Sequence, residues 1–301
     1  MGSRGFLSDR LRPARHAAAF VAAAAFSLAL TSCLSIKATS GEAKSPGNAQ
    51  SVSIASIHPW AKKRVAYFGD SVTDPAVMAA KTKYWEYLRD WLGIEPYVYA
   101  VNGRQWDDVP GQTDALAREH GQDVDAILVF MGTNDFNASV PIGNFWTEAP
   151  GKVVAAAGQP KSETTRTHRT LAMDGSTLCG RINMALSKIK TEYPTKQVVL
   201  LTPIHRAYAE FGESNVQPDE NWQNAAGIWF DEYVETVRNA GKVWSVPVVD
   251  MNALSGLYPV LDSNTRFFNN AATDRLHPNS EGHRRMAATL LWQLMSLPCT
   301  F

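Results

Sequence analysis

From residue 64 onward, short apolar runs alternate with amphipathic stretches to the C-terminus. Five runs, 64–68, 97–101, 126–131, 198–202 and 246–250, are rich in Val, Ile and Leu without polar alternation. That composition predicts parallel strands buried on both faces. Helix-like segments fall at 83–92, 113–119, 177–192, 221–239 and 280–295. In the last, Met286, Leu290, Leu291 and Leu294 recur at helical spacing. Strands alternating with helices predict one α/β domain over 58–301, a three-layer α/β/α sandwich on a five-stranded parallel sheet with right-handed crossovers. The stretch 137–176 breaks the pattern. It carries Pro141, Gly143, Pro150, Gly151, Gly158 and Pro160 and a polar run at 161–169. A substrate-facing loop insertion is expected there, and a weaker one at 205–221.

The first 33 residues have the make-up of a targeting segment. Arg4, Arg10, Arg12 and Arg15 precede an apolar run from Ala17 to Leu30, and then come Thr31, Ser32 and Cys33. A cysteine directly after such a run resembles the lipobox of bacterial lipoproteins, which makes Cys33 the expected lipidation site. An ordinary signal cut nearby and an uncleaved anchor remain as alternatives. On each cleaved reading the protein is exported, and on the first it is lipid-anchored to the cell envelope. Residues 34–57, rich in Ser, Ala, Gly and Lys, are then a flexible tether.

Charge and cysteines change the picture modestly. Lys and Arg number 29, matched by 29 Asp and Glu. Loss of 1–33 removes four arginines and Asp9, leaving a mild acidic excess. No basic block is interleaved with aromatics, so no nucleic-acid partner is expected. The cysteine spacing is not that of a zinc site, no phosphate-binding glycine loop occurs, and neither metal nor other cofactor is indicated. Cys179 and Cys299 can pair in an oxidising compartment or stand as separate buried thiols.

Candidate chemistry lies in two segments. Gly69, Asp70, Ser71, Val72, Thr73 and Asp74 follow the first predicted strand, where a hydroxyl stands at the carboxyl edge of the sheet. Asp274, Arg275, Leu276, His277 and Pro278 put an acid and a base three residues apart, within reach of a single loop. Serine, imidazole and carboxylate are the parts of an acyl-transfer triad. Alone, the serine turn reads equally as a capped turn opening a helix. Two further segments follow strands: Asn102, Gly103 and Arg104 after the second, and Gly132, Thr133, Asn134 and Asp135 after the third.

In their order and spacing these four segments resemble the SGNH hydrolases, also called GDSL-type esterases and lipases. Ser71, Gly103, Asn134 and His277 match the four residues that name the family, and the resemblance spans about residues 64–295. Val72 departs from the name-giving leucine, a change behind the nucleophile that leaves its chemistry alone. The resemblance implies an SGNH, flavodoxin-like sandwich. It also implies Ser71 as nucleophile, His277 as acid–base and Asp274 as its partner. The oxyanion hole would then be made by the Ser71 and Gly103 backbone N–H groups and the Asn134 amide.

Other residues carry weaker expectations. Asp70 and Asp74 read as turn and cap residues, Asp135 as bonding local backbone, and His283 as solvated. Arg104, Trp146 and His205 are candidates to touch substrate, each weighed against an ordinary surface or packing role. The insertion contains no continuous apolar stretch able to form a lid over long acyl chains. The expectation is a serine esterase removing acetyl or other short acyl groups, with an acylated carbohydrate as partner and membrane contact only through the lipid. A lysophospholipase or thioesterase of the same family, and a non-catalytic glycan-binding lipoprotein, are the alternatives.

Overall fold

The structure is a computed structural model that describes residues 53–299 and 301. The targeting segment expected at 1–33, Cys33 within it, and residues 34–52 of the tether expected at 34–57 lie outside the described residues. The chain runs β1 (Arg64–Gly69), α1 (Tyr84–Leu92), β2 (Glu95–Val98), α2 (Val109–His120), β3 (Ala126–Phe130) and α3 (Thr133–Asn137). There follow β4 (Trp146–Ala155), β5 (Ser162–Leu171), α4 (Leu178–Glu192), β6 (Gln197–Leu201), β7 (Ala209–Glu210) and β8 (Val216–Gln217). Then come α5 (Phe230–Trp244), β9 (Val248–Val249), α6 (Met251–Leu254), β10 (Phe268–Asn270), β11 (Asp274–Pro278) and α7 (Ser280–Ser296).

Strands β2-β1-β3-β6-β9 form the five-stranded sheet, and every pairing in it is parallel. The continuous apolar runs follow from this architecture. Successive side chains point to opposite faces of a strand, and both faces here are covered. Phe68, Ile127, Val129 and Leu200 join one core with Leu116 of α2, Ile182 and Leu186 of α4 and Tyr233 of α5. Tyr67, Leu128, Phe130 and Leu201 join the other with Tyr84 and Leu88 of α1 and Met286 and Leu290 of α7. A three-layer α/β/α sandwich results, as expected. Among the described residues no helix is long and apolar enough to cross a membrane.

The structure differs from expectation mainly at edges and loops. The outer strands are shorter or shifted, with β2 ending at Val98 and β9 only two residues long. Pro96 lies within β2, an edge strand where a missing N–H costs no ladder bond. The helix expected from 221 begins at Phe230. Asn224 explains the delay, because its Oδ1 accepts from the Ala226 and Ile228 N–H groups and Gly227 takes φ +74°. Both arrangements offer the backbone an alternative to helix. The insertion at 137–176 is ordered as well. Its β4 and β5 make an antiparallel hairpin of ten paired residues per strand, largely exposed on both faces. A second sheet, β10-β11-β7-β8, was not expected at all. Cys179 and Cys299 are both free.

His283, expected on a solvated face, is fully buried on α7. Its Nδ1 accepts the Tyr84 N–H at 3.3 Å, which requires a neutral ring. Burial, helped by Lys83 and His277, pushes its pKa well below the ordinary 6.5. A depressed histidine pKa stabilises the fold above 6.5, and that contribution is lost as the pH falls below it. Stability of the wild type relative to His283→Gln is therefore expected to fall from pH 6.5 to 5, by at most about 1.4 kcal/mol per pH unit. Thermal unfolding of both proteins across that range checks this, and a constant difference would rule it out.

Candidate active site

The first chemical segment is built on the end of β1. Gln112 of α2 clamps Gly69 from both sides: its Oε1 accepts the Gly69 N–H at 3.0 Å and its Nε2 donates to the Gly69 carbonyl at 2.9 Å. The chain then turns. Asp70 Oδ1 accepts the Val72 N–H at 3.1 Å, and the Asp70 carbonyl accepts from Thr73 and Asp74. Ser71 is buried at the apex. Burial pushes Asp70 up to about 6, against the Val72 N–H and the nearby His277, which pull it down. Asp74 does more than cap its own turn through Ala76. Its Oδ2 also accepts the Asn102 N–H at 2.8 Å, tying the serine turn to the Gly103 loop.

Asp274 and His277 lie on β11, not on the loop expected for them, with Asp274 opposite Ala209 on one side and Asn270 on the other. Asp274 Oδ1 accepts the Leu276 and His277 backbone N–H groups at 3.2 and 3.0 Å, and Oδ2 accepts from Asn269 Nδ2 at 2.8 Å. His277 Nδ1 is 3.1 Å from both carboxylate oxygens. Burial opposes the charged carboxylate, yet hydrogen bonds from His277 and Asn269 and the imidazole's charge hold Asp274 below its usual range. With Nδ1–H donating to Asp274, Nε2 is the acceptor nitrogen. That Nε2 is buried and has no hydrogen-bond partner among the described residues.

The two segments meet around one small internal cavity. Asp70 and Val72, which flank Ser71, line it together with Leu276, the neighbour of His277. Thr133, the neighbour of Asn134, also lines it. Gly103 sits on the exposed loop after β2 with φ +78°, and a Cβ there would meet nothing within 4 Å. Glycine is thus required by the backbone conformation, and it leaves open space above the peptide. Asn134 Nδ2 donates to the Arg104 carbonyl at 3.0 Å, which holds its amide against the Gly103 loop.

Asp135 acts across loops, not on its local backbone. Fully buried, it accepts the Trp106 N–H at 3.2 Å and pairs with Arg181 Nη1 at 3.1 Å. The same Nη1 donates to Gln105 Oε1 at 2.7 Å. Burial pushes Asp135 up to about 7 despite Arg181 and the Trp106 N–H. Arg206, buried on the far side of α3, donates to the Thr133 carbonyl and to Asn137 Oδ1. Between them these two groups fix the helix that carries Asn134.

The three weaker candidates have structural partners. The Arg104 guanidinium reaches Asp108 at 3.2 Å. Trp146 lies at the base of the hairpin, with the Arg169 guanidinium 5.4 Å from its ring. His205 Nδ1 is 2.6 Å from Glu220 Oε1, and its ring meets Tyr258 edge-on. Sequence reasoning missed Gln112, Arg181, Asn269 and the role of Arg206. No motif marks them, since each acts through contacts set by the fold. No group of three or more potential metal ligands is assembled among the described residues.

Comparison with known proteins agrees with this architecture. A protein from Lactobacillus plantarum has a similar structure at 23% identity and TM-score 0.61, covering 78% of this chain and 97% of its own. A possible lipase from Chitinophaga pinensis follows at 20% identity and TM-score 0.56, covering 77% and 97%. An acetyl xylan esterase from Geobacillus stearothermophilus shows 18% identity and TM-score 0.46, covering 79% and 97%. No curated protein matches by sequence. The family model for GDSL-like lipases and acylhydrolases matches residues 67–285. The chain belongs to the GDSL-like Lipase/Acylhydrolase family of ester-cleaving hydrolases.

Proposed function

We propose that this protein is a serine esterase that removes acetyl or other short acyl groups from carbohydrate. The observation that carries the reading is the Asp274–His277 pair, whose buried Nε2 has no partner among the described residues and whose imidazole is close enough to Asp70 of the serine turn to lower its pKa. The Ser71 hydroxyl attacks the ester carbonyl carbon while His277 Nε2 takes its proton. Asp274 keeps Nδ1 protonated and stabilises the imidazolium. The oxyanion of the tetrahedral intermediate is met by the Ser71 and Gly103 N–H groups and by Asn134 Nδ2. Collapse returns the proton to the leaving alcohol and leaves an acyl-serine. Water, deprotonated by His277, then attacks the acyl-serine, and the acid departs with Ser71 restored.

The short-chain preference is supported by the exposed β4–β5 hairpin, whose β5 is Thr-rich and whose exposed large apolar side chains among the described residues are Val153 and Val154 alone, too few to cover a long acyl chain. On the same reading the protein is exported and held at the envelope by lipid on Cys33, where acylated polymers are accessible. Nitrophenyl esters of increasing length test the acyl side. The expected result is a kcat/KM for acetate at least about tenfold above that for octanoate, the equivalent of about 1.4 kcal/mol. A preference for octanoate or palmitate would replace this reading with the lysophospholipase or thioesterase one.

A further inference from the structure

Between α3 and the segment 214–225 lies an open cleft of about 430 Å³, a volume within the range of about 300–1,000 Å³ usual for ligand sites. Its polar lining is a chain of amides fixed from behind by Arg206. Arg206 Nη2 donates to Gln217 Oε1 at 2.9 Å, and Nη1 donates to Asn137 Oδ1. Asn137 Nδ2 donates to Gln217 Oε1 at 2.6 Å, and Gln217 Nε2 donates to Asn215 Oδ1 at 2.9 Å. The guanidinium sets the direction of every bond in this chain, and the Asn215 NH2 at its end keeps its donors free among the described residues.

Beside the amides stands Trp222, 65% exposed. An ordered loop presents it. The Trp222 N–H bonds to the Asp219 carbonyl at 3.1 Å, and Asn224 pins the loop to the Phe136 carbonyl and to the Tyr233 hydroxyl. What sets Trp222 apart from the other exposed tryptophans, Trp229 and Trp292, is its place beside fixed amides in the lining of this cleft. Its flat apolar face suits the C–H face of a pyranose, and fixed amides suit the hydroxyls around the ring. Asp219 is the sole charged residue lining the cleft among the described residues, which disfavours an anionic sugar chain.

The cleft and the proposed ester-cleaving site share α3. Asn137 is three residues beyond Asn134 on α3, about 4.5 Å along the helix. Three residues before the segment 214–225 begins, Phe211 lies 5.3 Å from the His277 ring. From these observations we infer that the cleft is a sugar subsite. It takes a neutral pyranose chain on Trp222 and the Asn137, Gln217 and Asn215 amides, and it presents that chain's ester to Ser71. The inference rests on the esterase reading and adds the alcohol side of the substrate.

Steady-state kinetics on acetylated xylo- and manno-oligosaccharides, with 4-nitrophenyl acetate alongside, test it. Trp222→Ala is expected to raise KM on at least one of the neutral oligosaccharides about tenfold, the scale of a lost aromatic contact. Turnover of 4-nitrophenyl acetate is expected to stay within twofold. Trp292→Ala, which removes an equally exposed tryptophan on α7, is expected to change neither. Calorimetry with unacetylated xylohexaose and mannohexaose gives an answer independent of turnover: one of them binds the wild type and not Trp222→Ala. The subsite is overturned if neither oligosaccharide binds or is deacetylated. It is also overturned if Trp222→Ala equals the wild type on both, or if acetylated polygalacturonate is the better polymer. A wild type that turns over 4-nitrophenyl acetate but no sugar ester loses the subsite and keeps the esterase reading. Inactivity on 4-nitrophenyl acetate removes the esterase reading instead, leaving calorimetry to decide the subsite.

Discussion

Ser71→Ala is expected to reduce turnover of 4-nitrophenyl acetate by about 10⁴-fold or more, the scale seen when a serine hydrolase loses its nucleophile. The methyl group cannot form the acyl intermediate, and the remaining oxyanion donors give only weak catalysis of direct attack by water. The fold should not change. The turn is held by the Asp70 and Asp74 carboxylates and by the Gln112 clamp on Gly69, none of which uses the serine hydroxyl. Circular dichroism and the melting temperature should therefore match the wild type. A variant that keeps even a tenth of the activity would remove Ser71 from the mechanism.

The second large effect is expected at Asp274. In Asp274→Asn an amide replaces a carboxylate that accepts from two backbone N–H groups, from Asn269 and from His277 Nδ1. An amide has one acceptor atom, so its NH2 must face a donor. If it faces His277, the ring turns to the other tautomer and Nε2 carries the proton, which makes it useless as a base. The expected fall in kcat is about 10⁴-fold. Leaving a buried donor unpaired also costs about 1–3 kcal/mol of stability, so melting and kinetics should be measured on the same preparation. Asp274→Ala separates the two effects, since it frees the ring without fixing the wrong tautomer. An Asp274→Asn enzyme within tenfold of the wild type would mean that another group orients His277.

Much of this architecture was legible from the sequence because burial on both faces leaves a simple trace. The runs around Phe68, Leu128 and Leu200 had to be apolar throughout, and the structure places their alternate residues in two separate cores. Three of the chemical segments were legible for a related reason, as those of Ser71, Gly103 and Asn134 each follow a strand end at the same edge of the parallel sheet. The second sheet left no such trace. Its strands at Ala209–Glu210 and Val216–Gln217 are two residues long, and while β8 pairs locally with β7, the register of β7 against β11 comes from long-range pairing. The β4–β5 hairpin escaped notice because neither face is buried. Its Thr-rich β5 therefore shows strand propensity without in–out alternation. Gln112 and Arg206 act on residues 43 and 73 positions away, a distance local pattern does not span.

The proposed nucleophile and its proposed base belong to different sheets, Ser71 following a strand of the parallel sheet and His277 lying on the antiparallel one. The first sheet is sealed under helices on both sides. The second is held by a few backbone rungs, a single Cα pair joining β11 to β7. The strands flanking the buried β11 are short and partly exposed, and such regions open at lower free energy than the global fold. Catalytic competence in the proposed mechanism is therefore an alignment between a rigid half and a looser one. Warming would disengage the imidazole from the serine while the sandwich is still intact, so loss of activity on heating precedes loss of structure.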